Sequence, residues 1–362
     1  MNDQIMDDLV GLLPPLMQSL EALAFVARHL NPPDFAAVLD AAGHPDALLA
    51  EARPCLESWP DGVAGLRTLL QSSADAALAG FAGLRAAPDQ DESLAAAYRA
   101  LRFLPRAQEA LYPLAAGLPA VSRFFLPPER RDDPALQALA SQANPETGII
   151  HAGNEPGTRG GFSLYVPEYY TPDRPWPLVM ALHGGSGNGR GFLWSWLTDV
   201  RAEGAILVTP TATGDTWALT GRDQDTPNLA RILDLVGSRY HLDRTRLLLT
   251  GMSDGGTFSY VTGLEMGSPF THLAPVAATF HPMMAEMADP QRVRGLPVHI
   301  VHGALDWLFP IAGARTNQQA LAAAGARVTY REIPDLSHCY PRDANPGILA
   351  WLRSSPVEVT AS

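Results

Sequence analysis

The sequence predicts an α/β fold, a mostly parallel sheet flanked by helices, with an additional all-helical N-terminal domain. Three observations lead there. From about residue 149, short apolar runs alternate with amphipathic stretches, the pattern of strands joined by crossover helices. The central runs, such as L-V-M-A-L and I-L-V-T, are almost unbroken, as expected of strands buried on both sides. The first 145 or so residues are instead rich in Ala and Leu at helical spacing and show no strand pattern.

In the N-terminal stretch, Leu20, Leu23, Ala24 and Val26 suit one helix and Leu94, Ala97, Tyr98, Leu101 and Leu104 another. Prolines at 14–15, 32–33, 54, 60, 88, 105 and 113 are expected to mark helix ends, giving five to seven helices. Polar, proline-bearing segments at 126–134 and 140–148 read as a linker, which sets the domains at 1–145 and 146–362. In the second domain the strand candidates are 161–166, 178–182, 205–209, 246–250, 273–279, 298–301 and 328–333. Helices are expected at 192–201, 226–240, 255–266, 312–324 and 347–353.

Composition narrows the function. The net charge is −12, and no cluster of cations appears, which argues against a nucleic-acid partner. Cys55 and Cys339 are the two cysteines; they make neither a disulfide framework nor a zinc pattern. The N-terminus, M-N-D-Q-I-M-D-D-L, is acidic where a secretory signal is basic. No apolar run is read as reaching the roughly 18 residues of a membrane span. The expectation is a cytoplasmic protein with no membrane span.

The chemistry concentrates in the second domain. In L-L-L-T-G-M-S-D-G-G (247–256), a strand runs into a serine boxed by small residues and then a helix. That context presents a nucleophile on a tight turn, with helix amides favouring negative charge beside it. A serine hydroxyl needs a base to take its proton. Downstream, V-H-I-V-H-G-A-L-D places Asp306 just past an apolar run, and D-L-S-H-C-Y-P places His338 after the last strand candidate. The order Ser253, Asp306, His338, each at a strand's end, suits a triad in which the acid orients the imidazole. Asp306 also suits a helix cap before Pro310. Three other histidines compete with His338: His281 precedes the acid, while His302 and His183 belong to glycine turns.

Attack on a carbonyl also requires amide donors aimed at the oxyanion. The N–H of Asp254 is one candidate. The second comes from H-G-G-S-G at 183–187, with Gly185 favoured and Gly184 or Ser186 as neighbours able to serve. That turn is not a nucleotide loop: no lysine exists to complete a G-x-x-x-x-G-K motif. Trp194, Trp196, Trp217, Trp307 and Phe309 are candidates for lining a substrate pocket, with Trp217, Trp307 and Ser186 preferred.

Taken together, L-H-G-G (182–185), G-M-S-D-G-G (251–256), V-H-G-A-L-D (301–306) and S-H-C-Y-P (337–341) resemble the α/β-hydrolase superfamily. Within it, F-S-L-Y-V-P-E-Y-Y (162–170) and Y-H-L-D-R-T-R-L-L-L-T-G-M-S-D-G-G (240–256) are similar to the esterase branch. That branch holds polyhydroxybutyrate depolymerase-like, feruloyl-esterase-like and phospholipase/carboxylesterase-like enzymes. The resemblance covers roughly 149–355 and implies an α/β-hydrolase fold. It also implies a Ser253–His338–Asp306 triad, a small ester as substrate and no cofactor or metal. Residues 1–145 lie outside it. That domain is expected either to cover the pocket mouth or to make a homodimer contact, and the sequence leaves both open. An amidase, peptidase or acyltransferase using the same serine, or a non-catalytic binding protein, are the alternatives.

Overall fold

A computed structural model describes residues 3–139, 144 and 146–354. They fall into two compact units, Met1–Ala143 and Asn144–Ser362.

The first unit holds eight α-helices among its described residues, two of them long: Asp3–His29 and Ala64–Ala86. The count exceeds the expected range because proline opens several short ones, including Pro45–Ala52, Pro119–Phe124 and Pro134–Leu139. Pro14 and Pro15 do not end a helix as expected; they lie inside Asp3–His29. The carbonyls they displace belong to Val10 and Gly11, both on the exposed face, where solvent can reach them. The opposite face carries Leu9, Leu12, Leu16, Leu20 and Leu23, all buried. Contrary to the sequence expectation, Asp3–His29 is long and apolar enough to cross a membrane, and about half of that stretch is buried. The linker expected at 126–134 is folded instead: Leu126 is buried and Arg131 pairs with Glu21 at 2.7 Å. Much of the 140–148 segment lies outside the described residues.

The second unit is built on an eight-stranded sheet. Its strands are β1 (Gly148–Ala152), β2 (Phe162–Val166), β3 (Trp176–Leu182), β4 (Ile206–Pro210), β5 (Leu242–Met252), β6 (His272–Val276), β7 (Pro297–Gly303) and β8 (Arg327–Ile333). The spatial order is β1-β2-β4-β3-β5-β6-β7-β8. β1 and β2 run antiparallel to their neighbours, and every pairing from β4 to β8 is parallel. β1 has no counterpart among the sequence-derived strands: it is half-buried throughout and pairs only with β2, so it lacks the apolar run of a two-sided strand. β6 stops at Val276, short of the expected 279, because Ala277 turns away at φ 46°. β4, β6 and β7 are buried along their whole length, whereas β8 at the far edge alternates. This is the difference between a strand covered on both faces and one with a wet face.

Parallel strands place all their C-terminal ends along one edge of the sheet, where ligands of α/β proteins bind. The loops after β3, β4, β5, β6, β7 and β8 therefore share that edge. Leu249, in the middle of β5, is fully buried. Leu249→Ala is expected to destabilise the second unit by about 2–5 kcal/mol through lost contacts and a residual cavity, read from chemical denaturation.

Candidate active site

β5 ends at Met252 and the helix Asp254–Gly263 begins two residues on, so Ser253 alone makes the turn. It does so at φ 54° and ψ −120°, a conformation that costs a non-glycine residue about 1–3 kcal/mol. Two glycines enforce it by close approach. A Cβ on Gly251 would lie 2.5 Å from the Gly255 carbonyl, and one on Gly255 would lie 2.4 Å from the His183 carbonyl oxygen. Strand, helix and glycine loop thus meet backbone against backbone. The Ser253 N–H donates to the Val276 carbonyl (3.0 Å), and its own carbonyl accepts from Thr257 N–H (2.8 Å).

The serine hydroxyl faces an imidazole. Ser253 Oγ lies 3.0 Å from His338 Nε2, and His338 Nδ1 lies 2.9 Å and 3.0 Å from the two Asp306 oxygens. The tautomer protonated on Nδ1 satisfies both ends: Nδ1–H donates to the carboxylate and Nε2 accepts from the hydroxyl. Asp306 Oδ1 also accepts from the amides of Leu308 (3.0 Å) and Phe309 (2.8 Å). Burial pushes the Asp306 carboxyl up, but the hydrogen bonds from His338 and Phe309 outweigh it, and the group sits below the usual carboxylate range. Asp306 does not cap a helix, as its place before Pro310 also suggested: the helix Ile311–Ala323 has Pro310 at its N-cap and no side-chain cap, and the carboxylate closes the turn to Phe309 while it meets the imidazole. His302 stands behind it: its Nε2–H donates to the Phe309 carbonyl (2.8 Å) and lies 3.4 Å from Asp306 Oδ2. The Phe309 and Trp307 rings pack edge-on to His338 at 5.4 and 6.1 Å.

On the other side of Ser253 runs the glycine loop after β3. Gly185 and Ser186 are exposed and Gly184 is half-buried; Ser186 is left-handed at φ 55°. Asp254 is the first residue of its helix, so its N–H has no intrahelical acceptor. A Cβ on Gly185 would come within 2.8 Å of Asp254 Oδ2, so the two residues are neighbours. The loop after β4 ties them together. Thr216 Oγ1–H donates to Asp254 Oδ2 (2.6 Å), and Trp217 Nε1–H donates to the His183 carbonyl (2.7 Å). Asp225 pins this loop in turn by accepting from the amides of Thr213 and Ala218.

No protein-family model matches the chain. It is 30% identical to a bifunctional acetylxylan esterase/xylanase of Neocallimastix patriciarum, over 42% of this chain and 22% of that one. It is 27% identical to a probable feruloyl esterase C of Aspergillus flavus, over 48% of this chain and 66% of the other. With a poly(3-hydroxybutyrate) depolymerase of Ralstonia pickettii it shares 28% identity over 35% of this chain and 29% of that one. The chain therefore spans less than two thirds of the length of each of these relatives. They fall in the branch its motifs resemble, and the sheet order and serine turn are those of one architecture. The second unit has the α/β-hydrolase fold.

The rest of the site sorts the remaining sequence candidates. Trp307 is about half exposed beside His338, in a position to line a pocket. Trp217 is not: it is 2% exposed and stacked on Phe258 at 5.5 Å. Its indole packs the core beneath the glycine loop, with the N–H already spent on a backbone carbonyl. Trp194 and Trp196 are buried as well. His281 is exposed in the loop after β6, and His183 braces its own loop, with Nδ1–H donating to the Gly184 carbonyl (2.6 Å) and Nε2 accepting from Ala212 N–H (3.1 Å). Sequence reasoning missed Thr216. The signal was present in D-T-W (215–217), which follows a parallel strand and so lies on the ligand edge.

Two outcomes follow from this packing. Gly255→Ala is expected to lower the melting temperature of the second unit by several degrees, because its methyl meets two backbone oxygens rather than a movable side chain. Burial holds His183 at about 4 against an ordinary 6.5. The unfolded chain therefore binds the extra proton between these values, and stability falls as pH drops through that window. Denaturant titrations are expected to show a His183 share of about 2 kcal/mol lost between pH 7 and pH 5, absent in His183→Gln.

Proposed function

We propose that this protein is a serine esterase that cleaves carboxylic esters through an acyl-enzyme, with Ser253 as nucleophile, His338 as base and Asp306 as orienting acid. The observation that carries the reading is the hydroxyl-to-imidazole contact of 3.0 Å, with the opposite ring nitrogen on a buried carboxylate.

His338 Nε2 takes the proton as Ser253 Oγ attacks the ester carbonyl. Asp306 fixes the tautomer and stabilises the imidazolium. The oxyanion sits against the N–H groups of Asp254 and Gly185, with Gly184 flanking, and these donors need no reorganisation as charge develops. The imidazolium returns its proton to the departing alcohol. Water then attacks the acyl-enzyme with the same base, releasing the acid. The relatives' names make acetyl and feruloyl esters the first substrates to try.

Ser253→Ala is expected to abolish labelling by a fluorophosphonate probe and to lower ester turnover by roughly 10⁴-fold, with His338→Ala similar. Hydrolysis of p-nitrophenyl esters without hydrolysis of matched anilides separates an esterase from an amidase. Full turnover in Ser253→Ala would overturn the reading.

A further inference from the structure

The loop after β4 reaches the serine turn through one hydroxyl. Thr216 Oγ1–H donates to Asp254 Oδ2 at 2.6 Å, the length of a hydrogen bond onto a charged oxygen. Among the described residues the Asp254 carboxylate has no cation within ion-pair distance, and Thr216 is the one side chain that donates to it.

That carboxylate lies against the glycine loop. A Cβ on Gly185 would come within 2.8 Å of Asp254 Oδ2, so the side chain of one proposed oxyanion donor leans on the backbone of the other. Neither donor amide finds an acceptor among the described residues: Asp254 is the first residue of its helix, and Gly185 lies in the turn of its loop. A carboxylate accepts hydrogen bonds and gives none, so two unpaired N–H groups beside it are a hazard. Turned onto them, it would take the oxyanion's place and set a like charge next to the reacting carbonyl.

The Thr216 hydroxyl offers the carboxylate another donor, and its position is fixed from several directions. Asp225 accepts from the amides of Thr213 (2.8 Å) and Ala218 (2.9 Å), which bracket Thr216. Trp217 Nε1–H holds the His183 carbonyl (2.7 Å). Arg159 spans the two loops, donating to the carbonyls of Gly187 (2.9 Å) and Asp215 (3.1 Å). The residue before Thr216 and the residue after it are thus both tied to the glycine loop. We propose that Thr216 is a positioning residue of the oxyanion hole: its hydroxyl holds the Asp254 carboxylate off the amides of Asp254 and Gly185 and leaves them to the substrate. The inference rests on the proposed esterase reading of Ser253.

The role requires a hydroxyl rather than a volume, and it acts through one carboxylate. Both points can be measured with p-nitrophenyl acetate on wild type, Thr216→Val, Thr216→Ser, Asp254→Ala, and Asp254→Ala combined with Thr216→Val. Valine nearly matches threonine in shape and Thr216 is only half-buried, so the variants are expected to fold; Thr216→Ala replaces the valine variant if its melting curve shows otherwise. Thr216→Val is expected to lower kcat about tenfold or more with KM little changed, and Thr216→Ser to stay within about threefold of wild type. In the Asp254→Ala background, which keeps the amide and removes the carboxylate, Thr216→Val is expected to change kcat less than about twofold. A merely structural threonine would carry its loss into both backgrounds. Equal losses in the two backgrounds, a valine variant within twofold of wild type, or a serine variant as slow as the valine one would each overturn the role of Thr216 and leave the esterase reading intact. If wild type cleaves no ester, the rate of labelling by a fluorophosphonate, whose phosphoryl oxygen enters the same amides, is compared across the same proteins by the same criteria. A wild type that is not labelled removes both readings.

Discussion

The structure depends on one steric constraint: the strand β5, the helix after it and the glycine loop cross with no side chain between them. The missing Cβ atoms at positions 251 and 255 let the Ser253 backbone occupy a conformation it would not choose. Everything else at the site is placed relative to that crossing. The Ser253 amide is held by β6, its hydroxyl meets the His338 ring, and the helix Asp254–Gly263 starts directly after it. The local cost of about 1–3 kcal/mol is carried by a core in which the central strands are buried on both faces.

Around this crossing the polar groups divide into a charged side and a neutral side. Toward β7 and β8, the Asp306 carboxylate is buried but has His338 and two backbone amides to answer it, which keeps it ionised in a low-dielectric setting. Toward β3 and β4, His183 is buried with its ring nitrogens on backbone groups, and burial outweighs the nearby Asp254 charge and holds it neutral. Two histidines on one edge thus sit in opposite surroundings, His338 against a carboxylate and His183 against backbone groups. Thr216 adds a third control by donating to the Asp254 carboxylate, which puts a hydroxyl on that negative charge at the start of the helix.

Much of the second unit was legible in the sequence because two-sided burial writes an unbroken apolar run. β3, β4, β5 and β7 all announce themselves this way. β1 does not, because an edge strand with half-covered residues has no such signature. The glycine box around Ser253 was legible for a different reason: close backbone approach permits no other residue, so the geometry appears directly as letters. Trp217 shows the limit of that reading. An aromatic residue on a loop at the ligand edge can face the pocket or the core, and its neighbours along the chain do not distinguish the two. The eight helices of the first unit were blurred because proline both opens and interrupts helices, and Pro14 and Pro15 sit where only the exposure of Val10 and Gly11 explains their tolerance.

The Asp306 carboxylate has an evolutionary consequence. Because the same oxygen that meets the imidazole also closes the turn leading to Phe309, the acid cannot migrate to another strand end by a single replacement. A carboxylate arriving elsewhere would find the old turn unmade and the aromatic residues that pack on His338 displaced. The position of this carboxylate is therefore set by the turn it closes as much as by the imidazole it meets.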